Sequence, residues 1–312
     1  MRYLTVAAAF VVLGFGTPIT AQAAPQSKHN IQKVFIILME NHNWTGTQDS
    51  TSIKGSRYAP YINNTLLAMA SHAEQFFNPP GIHPSLPNYL WLEAGTNFGI
   101  LDDSDPISHP LTTTEHLVTL LNNTKISWKT YQENISGTSC PLVSSGLYAA
   151  KHDPFVYFTD VTNNLDPSGA YCIAHVRPFT ELATDLQNGT VAQYNFITPN
   201  LCDDMHDKCK PIQNAITQGD TWLSQNVPTI LNSAAYKNGG ALFITWDEAA
   251  SGDGPIGMLV LSPFAKGNGY ENFIHYTHGS TLRTFEEIFS VSPLLNDAAN
   301  ETDLSDLFTA FP

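Results

Sequence analysis

Five stretches of the chain read as strands, several of them nearly unbroken apolar runs. They are KVFIILM at 33–39, ISWKTY at 126–131, AQYNFIT at 192–198, GALFITW at 240–246 and GMLVLS at 257–262. A strand with one wet face alternates apolar and polar positions, so a run without alternation predicts a strand covered on both faces. Other segments carry apolar residues at three- and four-residue spacing and predict helices at 60–73, 112–123, 219–236 and 279–290. The third of these has Asp220 near its start as a capping candidate, and Pro228 is expected to kink it or end its first half. Strand and helix in alternation predict α/β layers around a mostly parallel sheet. The stretch 134–190, rich in Pro, Gly, Asn and Ser, predicts a long irregular excursion from that sheet rather than a separate domain. No internal repeat is present.

The strand ends are where chemistry is expected, because ligands of open α/β sheets gather at the carboxyl ends of strands. The first strand runs from VFIILM directly into Glu40, Asn41 and His42; GALFITW delivers Asp247 and Glu248; AQYNFIT leads through TPN to Asp203, Asp204, His206 and Asp207. One acidic residue after a strand is commonplace as a helix cap. Three acidic ends on one sheet repel one another and call for a cation between them. Oxygen-rich ligation suits calcium, magnesium or manganese, and zinc if histidine joins.

A hydroxyl candidate lies in PPGIHPSLPNYLWLEAG. Its prolines and Gly81 make a tight loop, and NYLWLEA continues as a helix, which places Ser85 at or just before the helix N-terminus. Backbone N–H groups there favour an anion such as phosphate. Ser85 could equally be a plain N-cap; a neighbouring metal would instead activate it as a nucleophile. His278 precedes the last long helix, while His83 and His42 are loop histidines of lesser weight.

Composition narrows the setting. The chain has 312 residues, 14 Lys and Arg against 28 Asp and Glu, and a net charge of −14. Nucleic acid and anionic membrane surfaces need basic partners and are not expected. For an anionic substrate, the positive charge is expected to come largely from metal and histidine. Arg2, the apolar run LTVAAAFVVLGF and the AQA at 21–23 predict a secretory signal over 1–23, leaving 24–312 as one domain. No later segment reads as transmembrane. Four cysteines allow three pairings, of which neighbour-to-neighbour gives Cys140–Cys172 and Cys202–Cys209. Sequons at Asn43, Asn63, Asn122, Asn134, Asn188 and Asn300 fit an exported glycoprotein, with Asn43 expected bare.

The motifs ENHNW, HPSLPNY, TPNLCDDMHD, TWDE and YTHGSTLRTFEE, in this order, resemble those of the acid phosphatase and phospholipase C-type phosphoesterase family of the alkaline phosphatase superfamily. The resemblance runs over roughly residues 30–292 and is closest to secreted acid phosphatases. It implies a doubly wound sheet with helices on both faces and a metal-assisted serine. By motif, Glu40, Asn41, Asp247 and Glu248 would bind a divalent metal ion, and Ser85 would take the phosphoryl group. Asn88 would contact phosphate, and Asp204, His206 and His278 would bind a second metal or contact the phosphate, the two histidines as catalytic candidates; His83, from its loop, is a further substrate-binding candidate. The implied substrate is a small phosphate monoester outside the cell or in its wall. The phospholipase branch has Arg after its P-N, where this chain has Tyr89, so cleavage of phospholipid headgroups is the alternative. A secreted metal- or phosphate-binding glycoprotein is the non-enzyme alternative.

Overall fold

A computed structural model describes residues 29–46 and 51–312, together with Met1; the rest of the expected signal segment, 2–23, lies outside the described residues. Eight strands form one sheet: β1 Lys33–Met39, β2 Ser71–Phe77, β3 Trp128–Gln132, β4 Val176–Pro178, β5 Tyr194–Thr198, β6 Gly240–Trp246, β7 Met258–Leu261 and β8 Tyr270–Thr277. Their order is β4-β3-β5-β1-β6-β7-β2-β8. All neighbours are parallel except around β7, which runs antiparallel to β6 and to β2. This is the α/β, mostly parallel sheet that the apolar runs predict. The central strands β1, β5 and β6 are almost wholly buried, as strands covered by helices on both faces must be.

Three helices position the site: α1 Ser85–Ala94, α2 Ala215–Asn232 and α3 His278–Ile288. Asn214 caps α2 through the Thr217 N–H. A capping box between Thr277 and Ser280 starts α3, with His278 as its first residue. The close approach of α2 to the end of β1 depends on Gly219, where a Cβ would fall 2.3 Å from Met205 and 2.8 Å from Met39.

Four helical expectations are corrected. The helix expected at 60–73 stops at Met69, and Ser71–Phe77 is strand β2; edge pairing with β8 and β7 overrides the helical spacing. The helix at 112–123 occupies only Leu117–Asn123. Pro228 does not end α2, which continues to Asn232. The proline removes a single backbone donor, the one to the Ser224 carbonyl, and burial of Trp222, Leu223, Val227 and Ile230 holds the helix through it. Asp220 is not the cap of its own helix. Its carboxylate accepts the N–H groups of Tyr61 and Ile62, at 2.9 and 2.8 Å, and so caps the helical turn at Ile62–Leu66. Asp220→Ala is expected to cost about 2 kcal/mol of stability, read as a lowered midpoint in urea; an unchanged midpoint would show that this cap carries no weight.

Both disulfides join sequence neighbours, Cys140–Cys172 and Cys202–Cys209. The excursion at 134–190 carries short helical turns and β4, and it folds back over the carboxyl end of the sheet, where it buries His152. Among the described residues, no helix is long and apolar enough to cross a membrane.

Candidate active site

The sheet order makes β5, β1 and β6 neighbours, and their carboxyl ends supply Asp204, Glu40 and Asp247 side by side. Met39 lies level with Trp246 in the register, so the next residues, Glu40 and Asp247, emerge together. Backbone bonds lock the three ends: Glu40 N donates to Asp204 O at 2.7 Å, and Asp247 N to Met39 O at 2.9 Å. Two residues of these turns, Asn41 (φ 45°) and Met205 (φ 82°), lie in the left-handed region. Side chains other than glycine adopt that conformation at a cost. Asn41 is held by its N–H on Asp247 Oδ1, at 3.1 Å. Met205 is held by full burial and by the His206 N–H on Asp204 Oδ1, at 2.8 Å.

Ser85 is the first residue of α1, not its cap, and its hydroxyl faces this cluster. Oγ donates to Glu40 Oε2 at 3.0 Å, while Tyr89 OH, one turn on, donates to Glu40 Oε1 at 2.6 Å. Tyr89 thus takes the place at which the phospholipase branch carries a cation, and it supplies a neutral donor. On the other side, Glu248 Oε2 receives His83 Nδ1 at 2.6 Å and Asn88 Nδ2 at 3.2 Å. Asn88 Nδ2 also reaches the carbonyls of Ile82 and Pro84, and its buried Oδ1 has no partner among the described residues. His42 is buried with Nδ1 on the Glu40 carbonyl, 2.6 Å away, which makes it a brace for the turn.

The donors fit a divalent cation. The Asn41 amide end lies 3.2 Å from Glu40 Oε2, 3.1 Å from Asp247 Oδ1 and 3.3 Å from Glu248 Oε1. With its NH2 turned toward them it donates to all three. With its oxygen turned toward them, four oxygens converge, and such a set is held together by a hard cation. Asp247 Oδ2 and Asp204 Oδ2 are buried and accept no hydrogen bond among the described residues. Ligand atoms of Glu40, His152 and Asp204 also lie within 4.8 Å of one another, so imidazole is within reach of the same carboxylates. A second group that could hold an ion, His72, Glu74 and Glu271, already has Lys54 at 2.8 Å from Glu74 and 3.1 Å from Glu271.

Charge crowding shows in the ionisation of the cluster. Burial, then Asp247 and Asp204, push Glu40 well above the usual carboxylate range. Burial raises Asp247 to about 6, and burial with Asp247 nearby raises Glu248 to about 7. Asp204 is raised in the same way, chiefly by burial. These carboxylates cannot all be charged at neutral pH unless a cation joins them.

The histidines divide. His278 is fully buried, with Nε2 on the Asp247 carbonyl and Nδ1 without a partner among the described residues. Burial lowers it to about 4, so it is a neutral imidazole at ordinary pH. His206 is partly exposed, with Nδ1 at 2.8 Å from Asp207, and it lines a cavity of about 400 Å³ with Asp103, Tyr148 and Lys151.

Four participants escape the strand-end argument. His152 stacks on Tyr89, with ring centroids 5.1 Å apart, and places Nε2 3.2 Å from Glu40 Oε1 and Nδ1 3.4 Å from Asp204 Oδ2. Lys151, the residue before it, has its ammonium 2.8 Å from Asp103. Burial alone would lower its pKa, but Glu40, Asp103 and Asp247 raise it. A lysine, brought in by the excursion, thus joins metal and histidine as a source of positive charge near the cluster. Tyr89 and Asp103 complete the set. The one sequence signal was KHDP, two adjacent basic residues in a chain that has few.

A model of the phosphoesterase family matches residues 26–292. A phosphatidylinositol-3-phosphatase of Mycobacterium tuberculosis is 28% identical over 291 residues, covering 93% of this chain and 86% of that protein. A phosphate-repressible acid phosphatase of Penicillium chrysogenum is 30% identical over 171 residues, which are 53% of this chain and 38% of the fungal protein. Among solved structures, human ectonucleotide pyrophosphatase/phosphodiesterase 5 matches with a TM-score of 0.57 at 11% identity, over 89% of this chain and 100% of that one. A protein in the alkaline phosphatase superfamily from Vibrio parahaemolyticus matches with a TM-score of 0.54 at 11% identity, over 90% and 72%. At such identities the structural likeness concerns the fold alone.

Proposed function

Because this chain belongs to the phosphoesterase family, and is with its relatives a phosphoric ester hydrolase, we propose that it is a metal-dependent phosphatase that cleaves phosphate monoesters through a phosphoserine. The observation that carries this reading is the Ser85 hydroxyl at a helix N-terminus, 3.0 Å from a carboxylate that belongs to a crowded oxygen cluster. Glu40, Asn41, Asp247 and Glu248 would hold the cation, with Asp204 and His152 adjoining. Bound there, a divalent ion supplies an acidified serine hydroxyl and an electrophilic pull on a phosphate oxygen.

Ser85 Oγ attacks phosphorus in line and passes its proton to Glu40 Oε2, 3.0 Å away, as the P–O bond to the leaving alcohol breaks; Glu40 returns it when the phosphoserine is hydrolysed. His206 projects into the adjoining cavity and protonates the departing oxygen from Nε2, since Nδ1 is engaged by Asp207. Water then attacks the phosphoserine, and Ser85 regains its proton as inorganic phosphate leaves. His278, neutral and braced on the Asp247 carbonyl, orients that turn.

The mycobacterial relative is named for a lipid phosphate that is also a monoester, so the same chemistry serves soluble and lipid-borne substrates. The two disulfides accord with work in an oxidising compartment outside the cell. The test is hydrolysis of p-nitrophenyl phosphate and phosphatidylinositol 3-phosphate against bis-p-nitrophenyl phosphate and phosphatidylcholine. Treatment with EDTA should stop monoester turnover, and one of calcium, magnesium, manganese or zinc should restore it. Full activity after exhaustive chelation would reject the metal, and preferred release from the diesters would favour the phospholipase alternative.

A further inference from the structure

Asp103 is seated in an unusual way. One oxygen lies 2.8 Å from Lys151 Nζ, and the other accepts the Leu86 N–H at 3.0 Å. Leu86 follows Ser85, so this N–H belongs to the first turn of the helix that presents the hydroxyl. A single carboxylate thus bridges the Lys151 ammonium and a helix-end amide beside the reacting oxygen. Those two donors are of the kind that grips two oxygens of a phosphate. Asp103 is partly exposed, next to exposed Leu101 and Asp102, and it lines the cavity of about 400 Å³ together with Lys151 and His206. Lys151 also senses Glu40 and Asp247 across the site.

We propose that Asp103 is a resident stand-in for the substrate phosphate, which an incoming monoester displaces to take Lys151 and the Leu86 N–H for itself. This rests on the phosphatase reading above and adds a specificity device to it. A monoester has three free oxygens, enough to meet the lysine, the helix amide and the carboxylate-bound cation together. A diester has two, so one of these partners goes unmet. Lys151 selects monoesters, and Asp103 keeps the lysine placed and neutralised while the site is free of phosphate.

The exchange is read by calorimetry with inorganic phosphate on the metal-loaded protein, which needs no turnover. Lys151→Met is expected to weaken phosphate binding by about tenfold or more, with Lys151→Arg retaining most of it. Asp103→Asn is expected to tighten binding several-fold, because the competing charge is gone. In parallel, Lys151→Met should lower the ratio of kcat/KM for p-nitrophenyl phosphate to that for the bis-p-nitrophenyl diester. Phosphate binding unaltered in Lys151→Met, or unchanged or weakened in Asp103→Asn, overturns the exchange. A wild-type protein that binds phosphate yet hydrolyses no monoester sinks the phosphatase reading instead, and the two failures stay distinct.

Discussion

Ser85→Ala is expected to lower phosphomonoester turnover by roughly 10^4-fold or more, as loss of a nucleophile does elsewhere, while inorganic phosphate still binds. The argument is positional. Ser85 sits in the first turn of α1 without capping it, and its hydroxyl is given to Glu40 Oε2. Removing one such bond costs about 1 kcal/mol, so the melting temperature should move by only a few degrees and folding is not the confounder. Rapid-quench labelling with a 32P monoester gives a second reading: wild type traps label on the protein at acid pH, and the variant does not. Turnover within tenfold of wild type would reject Ser85 as the nucleophile.

Glu40→Gln should give the other large effect, through activity and stability moving in opposite senses. Glu40 touches Ser85 and Tyr89 and lies beside Asn41 and His152, so the loss in kcat is expected to be about 10²- to 10³-fold. Stability of the chelated protein should be unchanged or higher, because the pKa of Glu40 is pushed up by burial and by its acidic neighbours. Glutamine is shaped like the protonated acid. The sign follows from linkage. Asp247 titrates at about 6 and Glu248 at about 7 when folded, against about 4 in the unfolded chain. Between those values the native state holds more protons, so the chelated wild type loses stability as pH rises from about 4 to about 7. A divalent cation should raise the melting temperature strongly at pH 7.5 and weakly at pH 4.5, and Glu40→Gln should blunt that gain. A variant that melts far below chelated wild type at pH 7.5 would mean that Glu40 is charged and paired, against the crowding described here.

Much of the acidic half of the site was legible because it follows from strand ends. An apolar run that stops at a carboxylate marks where a strand leaves the sheet, and the adjacency of β5, β1 and β6 does the rest. The strands missed were those without such runs. In β8, Glu271 and His275 are exposed and the burial is irregular, and β2 begins with the polar Ser71 and His72. The basic half was hidden for a different reason. Lys151 and His152 lie on a 3-10 turn within the irregular excursion, where no periodicity says which way a side chain points. The approach of His152 to Glu40 and that of Lys151 to Asp103 are long-range contacts that local sequence does not encode. Asp220 was misread likewise: an Asp near a helix start suggests its own cap, and only the fold reveals that it serves another segment.

The bridge between Cys140 and Cys172 spans 32 residues, and closing a loop of that length removes about 3–4 kcal/mol of entropy from the unfolded chain. The loop that it closes includes Tyr148, Lys151 and His152, whereas Glu40 and Asp247 are fastened by backbone ladders. The two halves of the pocket therefore answer to different chemistry. Dithiothreitol is expected to loosen the cationic wall and quench monoester turnover well before the circular dichroism of the sheet changes; loss of both together would show that the bridge holds the whole fold rather than one wall of the pocket.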